Sequence, residues 1–222
     1  MPGPSTPQRL LLFLLALVFL LAFIQVGAIT VAFDKLGLSR DSAFLLLFAS
    51  LLGSTINLPL FTIRSERPPE RELPPYVREL FRRLSVPFTG KTIIAVNVGG
   101  GLIPVTFSAY LLAHHPLGWF DVVLSTALVA AICHVFSRPI AGVGIAMPVF
   151  IAPVSAAIVA MIMDPENSAP LAYICGVMGV LIGADILRLG SIRRLGTPMA
   201  AIGGAGTFDG IFITGIIAVL LA

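Results

Sequence analysis

Apolar residues run along most of this chain in long blocks, and polar residues gather between the blocks rather than alternating within them. Blocks long enough to cross a hydrocarbon core of about 30 Å occur at Leu10–Phe33, Ser42–Ile63, Thr92–Ala113, Val122–Ser137, Ile140–Met163, Leu171–Leu187 and Met199–Ala222. The pattern predicts an all-α, polytopic membrane helix bundle of about seven transmembrane helices, forming one membrane domain over residues 1–222. The fourth and sixth blocks, 16 and 17 residues long, sit at or below the usual minimum of about 17.

The largest polar stretch is the loop 64–91, where Arg and Glu alternate around Pro68-Pro69 and Pro74-Pro75. Within it Tyr76, Val77, Leu80, Phe81 and Leu84 recur at helical spacing opposite Arg78, Glu79, Arg82 and Arg83. This predicts a short amphipathic helix on a leaflet surface, its basic side toward anionic headgroups. Glycine and proline interrupt three of the spans, at Asn97–Pro104, Gly142–Pro153 and Gly203–Gly206. Broken helices at membrane depth are tolerated where protein or water satisfies the freed backbone groups. Gly100-x-x-x-Pro104-Val105 and Gly144-x-x-x-Pro148-Val149 share a spacing that suggests a parallel internal repeat.

Composition agrees with a membrane chain: 57% of the 222 residues are hydrophobic and 11% charged. Of fourteen basic residues, only Lys35 and Arg40 fall on one side of the expected spans, and the other twelve fall on the opposite side. The positive-inside rule then puts the N-terminus inside and the C-terminus outside. The expected location is a prokaryotic inner or plasma membrane, multi-pass, with membrane lipid as a partner. Arg9 before a leucine-rich run, with Val26-Gly27-Ala28 beyond it, also fits a signal peptide; apolar sequence continuing to Phe33 favours an uncleaved anchor. A net charge of +3 is what this topology gives, and nothing points to nucleic acid. Cys133 and Cys175 lie inside spans and lack metal-knuckle spacing. His114-His115, beside Pro116 and Trp119, reads as a solvated pair in a short loop. No metal or cofactor is expected. Zinc-protease, serine-elbow and phosphate-loop motifs are missing from the sequence.

The candidate chemistry rests on Asp185 and Asp209. An acid at bilayer depth costs roughly 2.5 kcal/mol or more, which makes each a site candidate. Asp185 lies three residues before Arg188; Asp209 follows Gly203, Gly204, Gly206 and Thr207 and precedes Gly210. Two carboxylates at similar depth would share a proton and act as general acid and base on water. The surrounding glycines would let an extended, strand-like peptide backbone approach. A transmembrane peptide is then the substrate. Two alternatives stay open. A proton-coupled or lipid-linked small-solute transporter would use the same acids with His134 and Arg138, placed on one helical face, and with Asn57 and Asn97. A non-catalytic protein would use Asp185 to pair with Arg188 and Asp209 to cap its own helix.

Gly204–Phe212 resembles the Gly-x-Gly-Asp motif of the intramembrane aspartyl proteases of the presenilin, signal-peptide-peptidase and prepilin-peptidase group. The likeness implies Asp209 as the acid after the glycines and Asp185 as its partner on the preceding span. Here Thr207-Phe208 separates glycine from acid, no tyrosine precedes Asp185, and no Pro-Ala-Leu segment follows. As a whole the chain looks more like an uncharacterised family of bacterial and archaeal multi-span proteins with similar Gly-Ala-Asp and Gly-Thr-Phe-Asp-Gly segments.

Overall fold

The computed structural model describes residues 27–66, 90–140, 144–204 and 210–222. The segment before Gly27, the expected amphipathic helix of the 64–91 loop, and Gly206, Thr207 and Asp209 lie outside those residues.

The described chain opens with α1 (Gly27–Lys35) and α2 (Arg40–Gly53), which meet at a bend of 110°. Gly37, at φ 70, takes the left-handed turn between them, and Ser39 caps α2 by accepting from the Ser42 N–H. Strand β1 (Asn57–Arg64) pairs antiparallel with β2 (Lys91–Asn97). Pro59 would break a helix interior but is tolerated on an edge strand. In β2, buried Thr92 and Ile94 alternate with exposed Lys91 and Ile93, the period-two pattern of a half-buried strand rich in β-branched residues.

From β2 the chain enters a π-helical turn, Val98–Leu102, and then α3 (Ile103–His114), with Pro104 in its first turn. Helix α4 (Trp119–Phe136) leads into a small hairpin of β3 (Arg138–Ile140) and β4 (Gly144–Ala146), followed by α5 (Ile151–Met163). Helix α6 (Ser168–Val180) continues into a second π-helical segment, Leu181–Ile186, and the short α7 (Leu189–Ile192) follows. Strand β5 (Met199–Ile202) lies parallel to β2, so the main sheet has the order β1-β2-β5. The final helix is α8 (Gly210–Leu221).

Helix α6 is the centre of the helical layer, packed by α3, α4, α5 and α8. Almost every residue from Ser168 to Val180 is buried, and Tyr173 meets Phe107 edge-on at 4.9 Å. A smaller cluster of Ile94, Ile192 and Leu195 seals one face of the sheet.

This architecture overturns the expected seven-span helical bundle. The described residues form eight helices and five strands in two sheets. Two helices, Trp119–Phe136 and Ser168–Ile186, are long and apolar enough to cross a membrane, or three if the bent α1–α2 pair is one span. The cause is local. The blocks at Ser42–Ile63, Thr92–Ala113, Ile140–Met163 and Met199–Ala222 each divide into a strand and a helix of 12 to 14 residues, short of a span. The suggested Gly100/Gly144 repeat has no structural counterpart: Gly100 lies in a π-turn, whereas Gly144 begins a strand at φ 134. The units that do resemble each other are β2–glycine–α3 and β5–glycine–α8, whose strands pair side by side in parallel.

Candidate functional site

Glycine brings the walls of the site together. Helices α4 and α6 run parallel, and a Cβ on Gly179 would stand 2.5 Å from Val129 Cγ1, while one on Gly183 would strike the carbonyl oxygen of Ala130. Close approach therefore needs glycine at both positions. One turn further, His134 Nδ1 lies 3.1 Å from the Gly183 carbonyl. A carbonyl only accepts, so Nδ1–H is the donor in this bond. The same segment is tied back to α4 by Arg188, whose Nη2 donates to the carbonyls of His134 (2.6 Å) and Ser137 (2.9 Å) and whose Nε donates to Ser137 Oγ (3.2 Å). These bonds satisfy carbonyls that the end of α4 leaves without helical partners.

Asp185 lies between these anchor points in the π-helical segment, an element often found at functional sites. It is half-buried, and its Oδ2 accepts the Gly203 N–H at 2.8 Å. Gly203 and Gly204 hold left-handed conformations, φ 86 and 95. A Cβ on Gly203 would lie 2.5 Å from Gly101 N and 2.7 Å from both Gly100 C and Gly101 Cα, so the two strand–glycine–helix units cross backbone to backbone.

The other side of that crossing is built by a buried asparagine. Asn97 Oδ1 accepts the Gly100 N–H at 2.8 Å, and its Nδ2 donates to the Ser54 carbonyl (2.7 Å) and to Asn57 Oδ1 (2.9 Å). Ser50 Oγ donates to the Gly99 carbonyl at 2.7 Å.

Pairing direction gives the site its open side. The Ile93 N–H donates to the Pro198 carbonyl, so the backbone groups of Ala200 and Ile202 face β2, while those of Met199, Ala201 and Gly203 face away from it. Strand β5 is an edge of the sheet. The N–H that Asp185 accepts is thus the last of the outward-facing row.

Of the residues singled out in the sequence, Asp185, Gly203 and Gly204 come together here. Gly210 begins α8; Gly206, Thr207 and Asp209 lie outside the described residues. Arg188 bonds to the end of α4. His134 and Arg138 do not share a helical face, because α4 ends at Phe136 and Arg138 begins β3. Asn57 and Asn97 bond to each other within the sheet layer, apart from His134. Sequence reasoning missed Asn97 as a cap, although an asparagine before three glycines and Pro104 is a helix-start signal. It also missed Ser50, which has no motif of its own, and it read Gly100 and Gly101 only as part of a broken span.

Fold and site define a protein with two apolar helices of membrane-crossing length, joined to a small mixed sheet whose β5 side, an edge among the described residues, ends at a carboxylate. The chain belongs to the family described as "Protein of unknown function (DUF1614)", whose profile matches residues 51–221. No curated protein matches it, and no solved structure does.

Proposed function

We propose that this chain is a multi-pass protein of a prokaryotic cell membrane and an aspartyl-type peptidase, in which Asp185 and Asp209 share a proton and activate water against an extended stretch of a membrane peptide. The observation that carries this reading is the Asp185 carboxylate on the Gly203 N–H, at the end of the outward edge of β5. A peptide laid along Met199 and Ala201 would gain main-chain hydrogen bonds and bring a scissile carbonyl to the acid. The glycines leave room for its backbone. A pair of carboxylates sharing one proton supplies both the base for the water and the acid for the leaving amine.

The carrier alternative needs His134, Arg138, Asn57 and Asn97 on one route, and their separation into two networks gives it no support. The test uses purified protein in lipid vesicles with apolar peptide substrates. Asp185→Asn keeps a carbonyl for the Gly203 N–H, so it retains the fold and abolishes cleavage. Asp209→Asn does the same. Cleavage persisting in either variant, or pH-driven solute flux lost in both without any cleavage product, overturns the peptidase reading.

A further inference from the structure

A second feature lies between three of the helices. Between α3, α4 and α6 runs a crevice of about 510 Å³, walled by apolar groups from Val105 to Leu112, from Val122 to Ala130 and from Ile174 to Ile182. The one hydroxyl of known direction in its wall, Ser108 Oγ, is turned back onto the Pro104 carbonyl. The crevice therefore offers an occupant no hydrogen bond there.

Its shape selects among apolar occupants. Eight residues of α6 at 1.5 Å each give a length of about 12 Å, so the mean cross-section is about 40 Å². A helix with its side chains is about 10 Å across and needs roughly twice that section. An unbranched hydrocarbon chain is narrow enough, and the crevice runs along the helix axes, the direction in which a lipid chain lies.

The two ends differ. The α4 wall ends at Ala130; His134 follows one turn later and Arg138, exposed, just past the end of the helix. Arg138 is therefore an exposed cation eight residues beyond Ala130, on the side toward which the α4 wall of the crevice runs. We propose that the crevice holds one acyl chain of an anionic membrane lipid, with the headgroup at Arg138. This rests on the membrane part of the reading above and is independent of the peptidase chemistry.

The test is photo-crosslinking in phosphatidylcholine vesicles that contain a trace of phosphatidylglycerol with a diazirine in its acyl chain, with adducts mapped by mass spectrometry. Adducts concentrate on the three crevice walls. Ala109→Phe and Ala127→Phe, each at an exposed wall position, remove them while the size-exclusion profile is retained; two variants guard against one that fails to fold. A basic side chain near the surface is worth about fivefold in anionic-lipid binding, so Arg138→Gln lowers the preference for phosphatidylglycerol over phosphatidylcholine probes by about that factor. Asp185→Asn leaves the adducts unchanged, which separates this inference from the peptidase reading.

Adducts spread equally over other exposed apolar surfaces, such as Phe44, Leu45 and Phe48 of α2, overturn the proposal. So do adducts unchanged in both Phe variants, or displaced by an excess of an apolar helical peptide. Failure of the protein to float with vesicles overturns the membrane reading itself.

Discussion

Gly203→Ala tests the backbone crossing that places Asp185. The residue has φ 86, and an L-residue in that left-handed region costs roughly 1–2 kcal/mol. The added methyl would also meet backbone atoms of Gly100 and Gly101 at 2.5 to 2.7 Å. Backbone cannot rotate away as a side-chain tip can, and overpacking of this kind costs about 1–3 kcal/mol. The sum is about 2–5 kcal/mol, which for a chain of this length lowers Tm by roughly 4–20 °C. Gly37→Ala separates the two terms, because Gly37 has φ 70 but nothing within 4 Å of an added Cβ. It should cost only the conformational part, about 1–2 kcal/mol or roughly 2–8 °C. The assay is thermal unfolding of both variants and the parent in one detergent, followed by a tryptophan-independent probe such as far-ultraviolet circular dichroism. Equal losses in the two variants would refute the close crossing of Gly203 over Gly100–Gly101.

The remaining expectations follow from bonds already described. Asn97→Ala leaves the Gly100 N–H and the Ser54 carbonyl without their buried partner, at about 1–3 kcal/mol each; Asn57→Ala, at a half-exposed residue, should cost clearly less, and unfolding midpoints compare them. Arg188→Gln removes the charged donors from the end of α4, so amide exchange over Cys133–Ser137 should quicken; unchanged exchange there would show that these bonds do not hold the helix end. Asp185→Asn should preserve the unfolding free energy within about 1 kcal/mol, since its carbonyl still accepts from Gly203, whereas Asp185→Ala should not.

Which parts of the fold the sequence could reveal is plain from individual blocks. Val122–Ser137 and Leu171–Leu187, at or below the usual minimum for a span, correspond to the two helices that reach spanning length. The longer blocks were misleading. Thr92–Ala113 is apolar enough for a span, but its β-branched opening and the three glycines after Val98 make a strand and a π-turn. Apolar content alone does not separate these outcomes. The pairing of β2 with β5 was not legible either, since it joins residues about a hundred positions apart, as the Thr92 hydroxyl on the Thr197 carbonyl illustrates. Asp185 and the glycines near it were legible from their chemistry. The Asp185 bond to Gly203 was not, because its partner is a backbone N–H 18 residues away that no side-chain spacing marks.

The sheet itself limits how this protein can sit in a bilayer. Hydrocarbon cannot satisfy an open strand edge, and each unpaired backbone group placed there costs several kcal/mol. Strand β1 and strand β5 are both edges, so the outward groups of Met199 and Ala201 must meet water, protein or an added strand. Arg188 bonds the end of α4 beside Ser137, one residue before Arg138, and arginine favours the membrane surface over its interior. The long apolar helices point the other way, α4 and α6 both ending at this face with their last turns latched by His134 and Arg188. On the peptidase reading proposed above, an edge strand adjoining apolar helices and ending on a carboxylate is where an extended peptide would first find backbone partners. Pairing that edge within the protein would remove this opportunity. Substituting proline at Ala201 leaves the β2-facing ladder intact while deleting an outward N–H, so it should spare the fold and weaken capture of an extended peptide.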